Sequence, residues 1–220
     1  MSGPAPVVAL ATGNAGKVRE LRELLEPLGL RAAGLDELGP VAFPAEGDDY
    51  EANARGKALA AARALGLPAL ADDSGLEVEG LGGAPGVRSA RYGGPGLDDA
   101  GRCTLLLRAL AARPGASRRA RFVCVAALAL PNGELHAARG VCLGTIEPAP
   151  RGASGFGYDP VFRVDEPGFR DGRTLAELAP GEKAQLSHRA RALSALGPAL
   201  AALARAGSAG AAQASAAKRS

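Results

Sequence analysis

Two adjacent carboxylates, Asp72 and Asp73, close a short apolar run, Pro68-Ala69-Leu70-Ala71, and are followed by Ser74-Gly75. Ionised side by side and away from water, they repel each other and lose hydration, which costs several kcal/mol per buried ion. Such a pair is stable where that end of the run is open to water, where the two share a proton, or where a cation sits between them. The third case makes a metal-assisted hydrolytic site. The same Asp-Asp-Ser-Gly is also an ordinary helix cap or turn, because short polar side chains accept from nearby amides. The remaining chain has to separate these readings.

Cationic groups recur at three places. Thr12-Gly13-Asn14-Ala15-Gly16-Lys17 follows an apolar run and precedes a helical pattern. A glycine-bearing turn there aims amide N–H groups and the positive helix end at an anion, and Lys17 adds a full charge. It is not a Walker A loop, which needs Gly five positions before Gly16 and Ser or Thr after Lys17; Ala11 and Val18 stand there. Asn53 and Lys57 lie four residues apart and share a helix face. Lys57 there is either a phosphate contact or a solvated lysine. Near the C-terminus, Lys183, His188 and Arg189 gather within seven positions, the histidine and arginine after Ser187. A lone histidine is an ordinary surface residue, but this grouping at a helix start suits an anion or a base edge. Phe156, with Gly157, Tyr158 and Asp159, sits in a glycine-rich loop, where an aromatic ring either stacks on a ligand or plugs a core. Together these groups describe a nucleoside triphosphate site: cations for phosphates, an aromatic face, donors for a base edge and a carboxylate pair for Mg²⁺.

The elements that must position these groups follow from periodicity. Val7 to Ala11 reads as a strand, and Val18, Leu21, Leu24, Leu25 and Leu28 recur at helical spacing. Residues 50–65 read as an alanine-rich helix ended by Gly66 and Pro68, leading into a buried strand that stops at Asp72-Asp73. Such a strand end is where open α/β sheets place ligands. Residues 80–96, rich in Gly and Pro, read as a long loop, and Asp98 to Arg113 as a helix. Two β-rich runs, 121–130 and 134–146, flank Pro131-Asn132-Gly133, a hairpin signal, and are expected to form a second lobe. A short strand at 161–164 and a last helix from His188 to Arg205 complete the domain, residues 1–205. The Ala/Gly/Ser-rich tail, 206–220, buries too little to fold and is expected to be disordered.

With 220 residues, 47% hydrophobic and 22% charged, the composition is globular. No apolar run approaches the ~20 residues of a membrane span, and no secretion signal is visible. Three scattered cysteines read as reduced thiols of a cytoplasmic protein. The net charge is +3 with no Trp, so the basic cluster at 118–121 is thin support for nucleic-acid binding.

The chain resembles the inosine/xanthosine triphosphate pyrophosphatases. The resemblance rests on Thr12-Gly13-Asn14 with Lys17, Asn53 with Lys57, Ala71 to Gly75, Leu81 to Gly86, Ser89 to Tyr92, Phe156 to Pro160 and Ser187 to Arg189, in order between Val7 and Leu203. It implies an elongated, two-lobed α/β fold with a mixed sheet and a central nucleotide cleft, usually as a homodimer. It further implies Mg²⁺-dependent hydrolysis of ITP, dITP or XTP to the monophosphate and pyrophosphate, a cleansing of the nucleotide pool. Carried over, Asp73 is the catalytic carboxylate and a Mg²⁺ ligand. Thr12 to Lys17 and Lys57 hold phosphates, Ser74 contacts substrate, Phe156 to Asp159 form the base pocket, and Lys183, His188 and Arg189 read the purine. Glu46, directly before Gly47, departs from the family's usual spacing; it is taken as the second metal ligand, with Asp48, Asp49 and Glu51 as alternatives. A pyrophosphatase of modified pyrimidine nucleotides is the competing enzyme reading; a nucleotide- or RNA-binding module is the competing non-enzymatic one. Alternation along a strand also separates Asp72 from Asp73 onto opposite sides.

Overall fold

The computed structural model describes residues 5–217, with side chains described to residue 207. Six strands form one sheet in the order β2-β1-β3-β4-β5-β6. They are β1 (Val7–Leu10), β2 (Arg31–Ala33), β3 (Ala69–Val78), β4 (Arg119–Ala129), β5 (Leu135–Ile146) and β6 (Phe162–Val164). The helices are α1 (Ala15–Leu25), α2 (Leu35–Leu38), α3 (Tyr50–Leu65), α4 (Asp99–Ala111), α5 (Pro180–Leu186), α6 (His188–Ala195) and α7 (Gly197–Ala217).

The sheet changes character at β3. On one side β3 runs parallel to β1, paired only at Ala69 and Leu70. On the other it runs antiparallel to β4 over its whole length, Ala69↔Ala129 to Val78↔Ala120. The strand therefore does not stop at the two aspartates, as the apolar run alone predicts; it carries them mid-strand, because β4 pairing continues where β1 ends. The two β-rich runs are the expected hairpin, but they extend the same sheet through β3 rather than forming a separate one. The parallel half is covered on both faces. Leu21 and Leu25 of α1 with Leu193, Leu196 and Leu200 fill one side, and alanines of α3 fill the other. The antiparallel half has its own core with α4, built on Leu76, Leu106, Phe122 and Phe162.

Residues 80–96 hold two 3-10 turns, Glu79–Leu81 and Gly86–Arg91, within the expected loop. The last helix is two: α6 ends before Leu196, and α7 restarts at Gly197 with Pro198, a residue that lacks the N–H a continuing helix needs. Helical backbone then continues to Ala217, correcting the expectation of an unfolded tail from residue 206. Alanine has the highest helix propensity, and Gly207 lies directly against Pro6. The expectation for residues 218–220 lies outside the described residues. The basic cluster at 118–121 is internally paired: Arg119 to Glu79 at 2.8 Å, Arg121 to Glu77 at 2.7 Å, and Arg118 to the carbonyls of Ile146 and Glu147.

Candidate active site

Alternation along β3 places Asp72 with α1 and α6, and Asp73 with α3. The α3 interface is almost all alanine, Ala54, Ala58, Ala61 and Ala62 against Ala9, Ala69, Ala71 and Ala127. Small side chains let helix and sheet approach closely, so a short Asn53 and an extended Lys57 both reach Asp73. Asn53 Nδ2 donates to Asp73 Oδ2 at 2.9 Å, and Lys57 Nζ to Asp73 Oδ1 at 3.1 Å. Lys57 also meets Glu46 Oε1 at 3.0 Å, and Arg91 donates to Glu46 Oε2 at 2.6 Å. Burial alone lowers the Lys57 pKa, but Asp73 and Glu46 outweigh it and keep the ammonium charged. Glu46 itself is shifted down; burial opposes this, and Lys57 and Arg91 prevail.

Of the acids in the 46–51 segment, the structure brings only Glu46 to this cluster. Asp48 pairs with Arg88, Asp49 caps α3 by accepting from Ala52 N–H, and Glu51 pairs with Arg55. Two carboxylates that converge on one ammonium are a donor set that fits Mg²⁺, which takes one or two carboxylates and completes its octahedron with phosphate oxygens and water. Among the described residues no three His, Cys, Asp or Glu side chains converge as an all-protein cage.

The other face of β3 carries a different network. Asp72, with no exposed surface, receives Lys17 Nζ at 3.0 Å and Arg189 Nη2 at 3.0 Å on the same Oδ2, while its Oδ1 has no partner. Burial raises the Asp72 pKa, but Lys17 and Arg189 overcome it and hold the carboxyl far below the usual range. Arg189 also donates to Ser74 Oγ at 3.1 Å and to Glu20. Glu20 binds Lys183 as well, and Lys183 meets Asp159 Oδ2 at 2.7 Å. Glu20 is one group that sequence reasoning missed. Its only signal was a position three residues after Lys17 on the same helix face.

A cavity of about 220 Å³ opens over this network. Of the predicted residues it is lined by Asn14, Lys17, Ser74, Phe156, Gly157, Tyr158, Asp159, Lys183, His188 and Arg189. Ser89, Asp99, Arg102 and Phe122 complete the wall without having been given roles from the sequence. Asp73, Glu46 and Lys57 are not in that lining; they stand on the far side of β3. Thr12, Gly13 and Ala15 line an adjoining concavity along α1. Asn14 caps α1 by accepting from Lys17 N–H at 3.0 Å, and among the described residues no acceptor meets the Ala15 and Gly16 amides, which stay available at the positive helix end.

The aromatic loop is held from several sides. Gly155, at φ +80°, leaves room for the Asp159 carboxylate that a side chain there would strike, and that carboxylate accepts from Phe156 N–H at 2.9 Å. Asp99 accepts from Gly157 N–H at 2.7 Å. The Phe156 ring lies directly on Gly16, where any Cβ would collide with it, and Lys183 and Arg189 lie 5.2 and 5.7 Å from its centroid. Tyr158 is buried, its hydroxyl donating to Ser89 O at 3.0 Å. Ser187 caps α6 by accepting from Ala190 N–H, which sets His188 and Arg189 on its first turn.

His188 is buried and stacked on Phe122 with centroids 4.7 Å apart, and its Nδ1 has no protein partner. Burial, with Arg189 and Lys183 nearby, holds its pKa well below the ordinary value. The unfolded chain takes a proton at about pH 6.5 that the folded one refuses. Its contribution to stability is therefore complete above about pH 6.5 and falls below it, by up to about 1.4 kcal/mol per pH unit. Asp159, raised mainly by burial, acts with the opposite sign. Urea denaturation between pH 7.5 and 5.5 should therefore show a steeper loss for the wild type than for His188→Leu; equal slopes would remove this assignment.

The chain belongs to the Ham1 family, which it matches over residues 8–199. It is 51% identical to the dITP/XTP pyrophosphatase of Thermus thermophilus over 189 residues, 86% of this chain and 89% of that one. It is 52% identical to the dITP/XTP pyrophosphatase of Deinococcus deserti over 190 residues, 86% of each. The solved HAM1 protein of Coxiella burnetii superposes with a TM-score of 0.76 at 42% identity, covering 89% of this chain and 98% of that one.

Proposed function

We propose that the protein hydrolyses non-canonical purine nucleoside triphosphates, ITP, dITP and XTP, to the monophosphate and pyrophosphate. The observation that carries this reading is the division of labour across β3. One face offers an open cavity with an aromatic wall and cationic donors; the other offers a carboxylate cluster around an ammonium. Family membership and relatives named dITP/XTP pyrophosphatase support it.

In this reading water adds to the α-phosphorus, the bond to the bridging oxygen breaks, and pyrophosphate leaves. Asp73 accepts the proton of the attacking water. Lys17, Lys57 and the free amides at the start of α1 stabilise the charge on the phosphate oxygens. Glu46 and Asp73 would hold Mg²⁺, which supplies charge neutralisation at those oxygens when bound. Lys183 has used two of its three N–H groups, on Glu20 and Asp159, so one remains for a base carbonyl.

Inosine and xanthosine present a carbonyl at the purine 6-position and adenosine an amino group. Each donor left unpaired in a buried site costs about 1–3 kcal/mol, so two or three give discrimination of order 10³. A homodimer, which rests on the resemblance, and a cytoplasmic location, which rests on the scattered thiols, belong to the same reading; among the described residues no helix is long and apolar enough to cross a membrane. The test is pyrophosphate release from ITP, XTP, GTP and ATP with and without Mg²⁺. ITP and XTP should exceed ATP by ~10³-fold in kcat/KM, and chelation should abolish turnover. Comparable efficiency on ATP would sink the base readout.

A further inference from the structure

Asp72 has no task in the hydrolysis described above. It carries no exposed surface and lies on the opposite face of β3 from the carboxylate cluster. A carboxylate buried so deeply is costly unless it organises charged partners. Its partners come from opposite ends of the chain. Lys17 Nζ lies 3.0 Å from Oδ2, and Arg189 reaches the same oxygen with Nη2 at 3.0 Å and Nε at 3.3 Å. From Arg189 the alternation of charge continues through Glu20 and Lys183 to Asp159, which accepts from the Phe156 amide. Three cations and three carboxyl groups thus join the phosphate turn to the aromatic loop.

We propose that Asp72 is a positioning residue that couples reading of the base to placement of the Lys17 ammonium, so that base identity is expressed in kcat as well as in KM. The proposal rests on the purine triphosphate reading given above. Lys17 and Arg189 share a single oxygen, so the position of one sets the position of the other. A base carbonyl accepts from Lys183 and Arg189 without moving Arg189 off Oδ2, so Lys17 keeps its place against the phosphates. Adenine, with an amino group in place of the carbonyl, sets a donor against the Lys183 and Arg189 donors, which displaces Arg189 on Oδ2 and Lys17 with it. Binding energy from the remote base is then realised as orientation at the reacting phosphate.

The experiment measures kcat and KM for ITP and ATP in the wild type and in Asp72→Asn, which keeps the shape and removes the charge. The expected result is a loss of roughly tenfold or more in kcat for ITP against less than threefold for ATP, so that the kcat ratio collapses. A parallel fall for both substrates indicates a structural role only and overturns the proposal. If Asp72→Asn does not fold, Lys17→Met and Arg189→Lys, singly and together, leave Asp72 in place. Their effects on kcat for ITP should then depart from additivity by roughly threefold or more, as residues sharing a partner do; additive effects overturn the coupling. A wild type that releases no pyrophosphate from ITP removes the functional reading itself, and the proposal with it.

Discussion

Asp73→Asn should lower pyrophosphate release from ITP by roughly 10²–10⁴-fold, the usual contribution of a positioned general base, in a protein that still folds. The local geometry explains both parts. Asp73 accepts one bond on each oxygen, from Lys57 on Oδ1 and from Asn53 on Oδ2. Asn53 cannot turn over to suit a new neighbour. Its Oδ1 accepts from Gly47 N–H at 2.8 Å, and its Nδ2 donates to Gly47 O at 3.1 Å. An asparagine at position 73 therefore sets its amide N–H against a donor, either Asn53 or the Lys57 ammonium, whichever way it faces. One unmade buried bond costs about 1–3 kcal/mol, within the stability of an ordinary domain. Steady-state kinetics beside a thermal melt separate the two effects. A folded variant within tenfold of wild-type turnover would remove Asp73 as the base.

The second large effect is on stability and falls on Arg189. Its side chain is 1% exposed and is shared by Asp72, Glu20 and Ser74. Arg189→Met keeps a long apolar stem but takes away the cation. Asp72 is left with Lys17, and Glu20 with Lys183. Removing one partner from a buried network costs about 3–5 kcal/mol, because a carboxylate charge in excess of the cations then stays buried. For a chain of this size that lowers Tm by roughly 6–20 °C. Adding Asp72→Asn, which removes the stranded charge, should recover part of the loss. A Tm change below about 2 °C for the single variant, or no recovery in the double, would mean that water reaches the network and the burial argument fails.

The two aspartates of β3 also show how the strand divides its work. Asp72 and Asp73 are neighbours in sequence, yet one anchors cations beneath a cavity and the other meets an ammonium shared with Glu46. Substituting one should therefore leave the other's partners in place.

Much of the frame is legible from local pattern. Helix α3 occupies residues 50–65 as its alanine-rich run and the following Gly66 predict, and the hairpin turns at Pro131-Asn132-Gly133. Both signals lie within a few residues of what they specify: a helical period, a left-handed cap, a tight turn. The opposite facing of Asp72 and Asp73 follows in the same way from the two-residue period of a strand. The chemistry-bearing residue types, from Lys17 to Arg189, are likewise visible one at a time.

What the tertiary structure alone decided is non-local. Asp-Asp-Ser-Gly reads as a strand end because polar residues and glycine interrupt the apolar run. Only the pairing of β3 with β4, some fifty residues away, carries the strand on to Val78. Nothing local distinguishes Glu46 from Asp48, Asp49 or Glu51; the reach of Lys57 from α3 does. Glu20 looks like any helix-surface acid until α5 and α6 bring Lys183 and Arg189 against it. Charge pairing of this kind depends on which elements pack together, and a sequence read residue by residue holds no record of that.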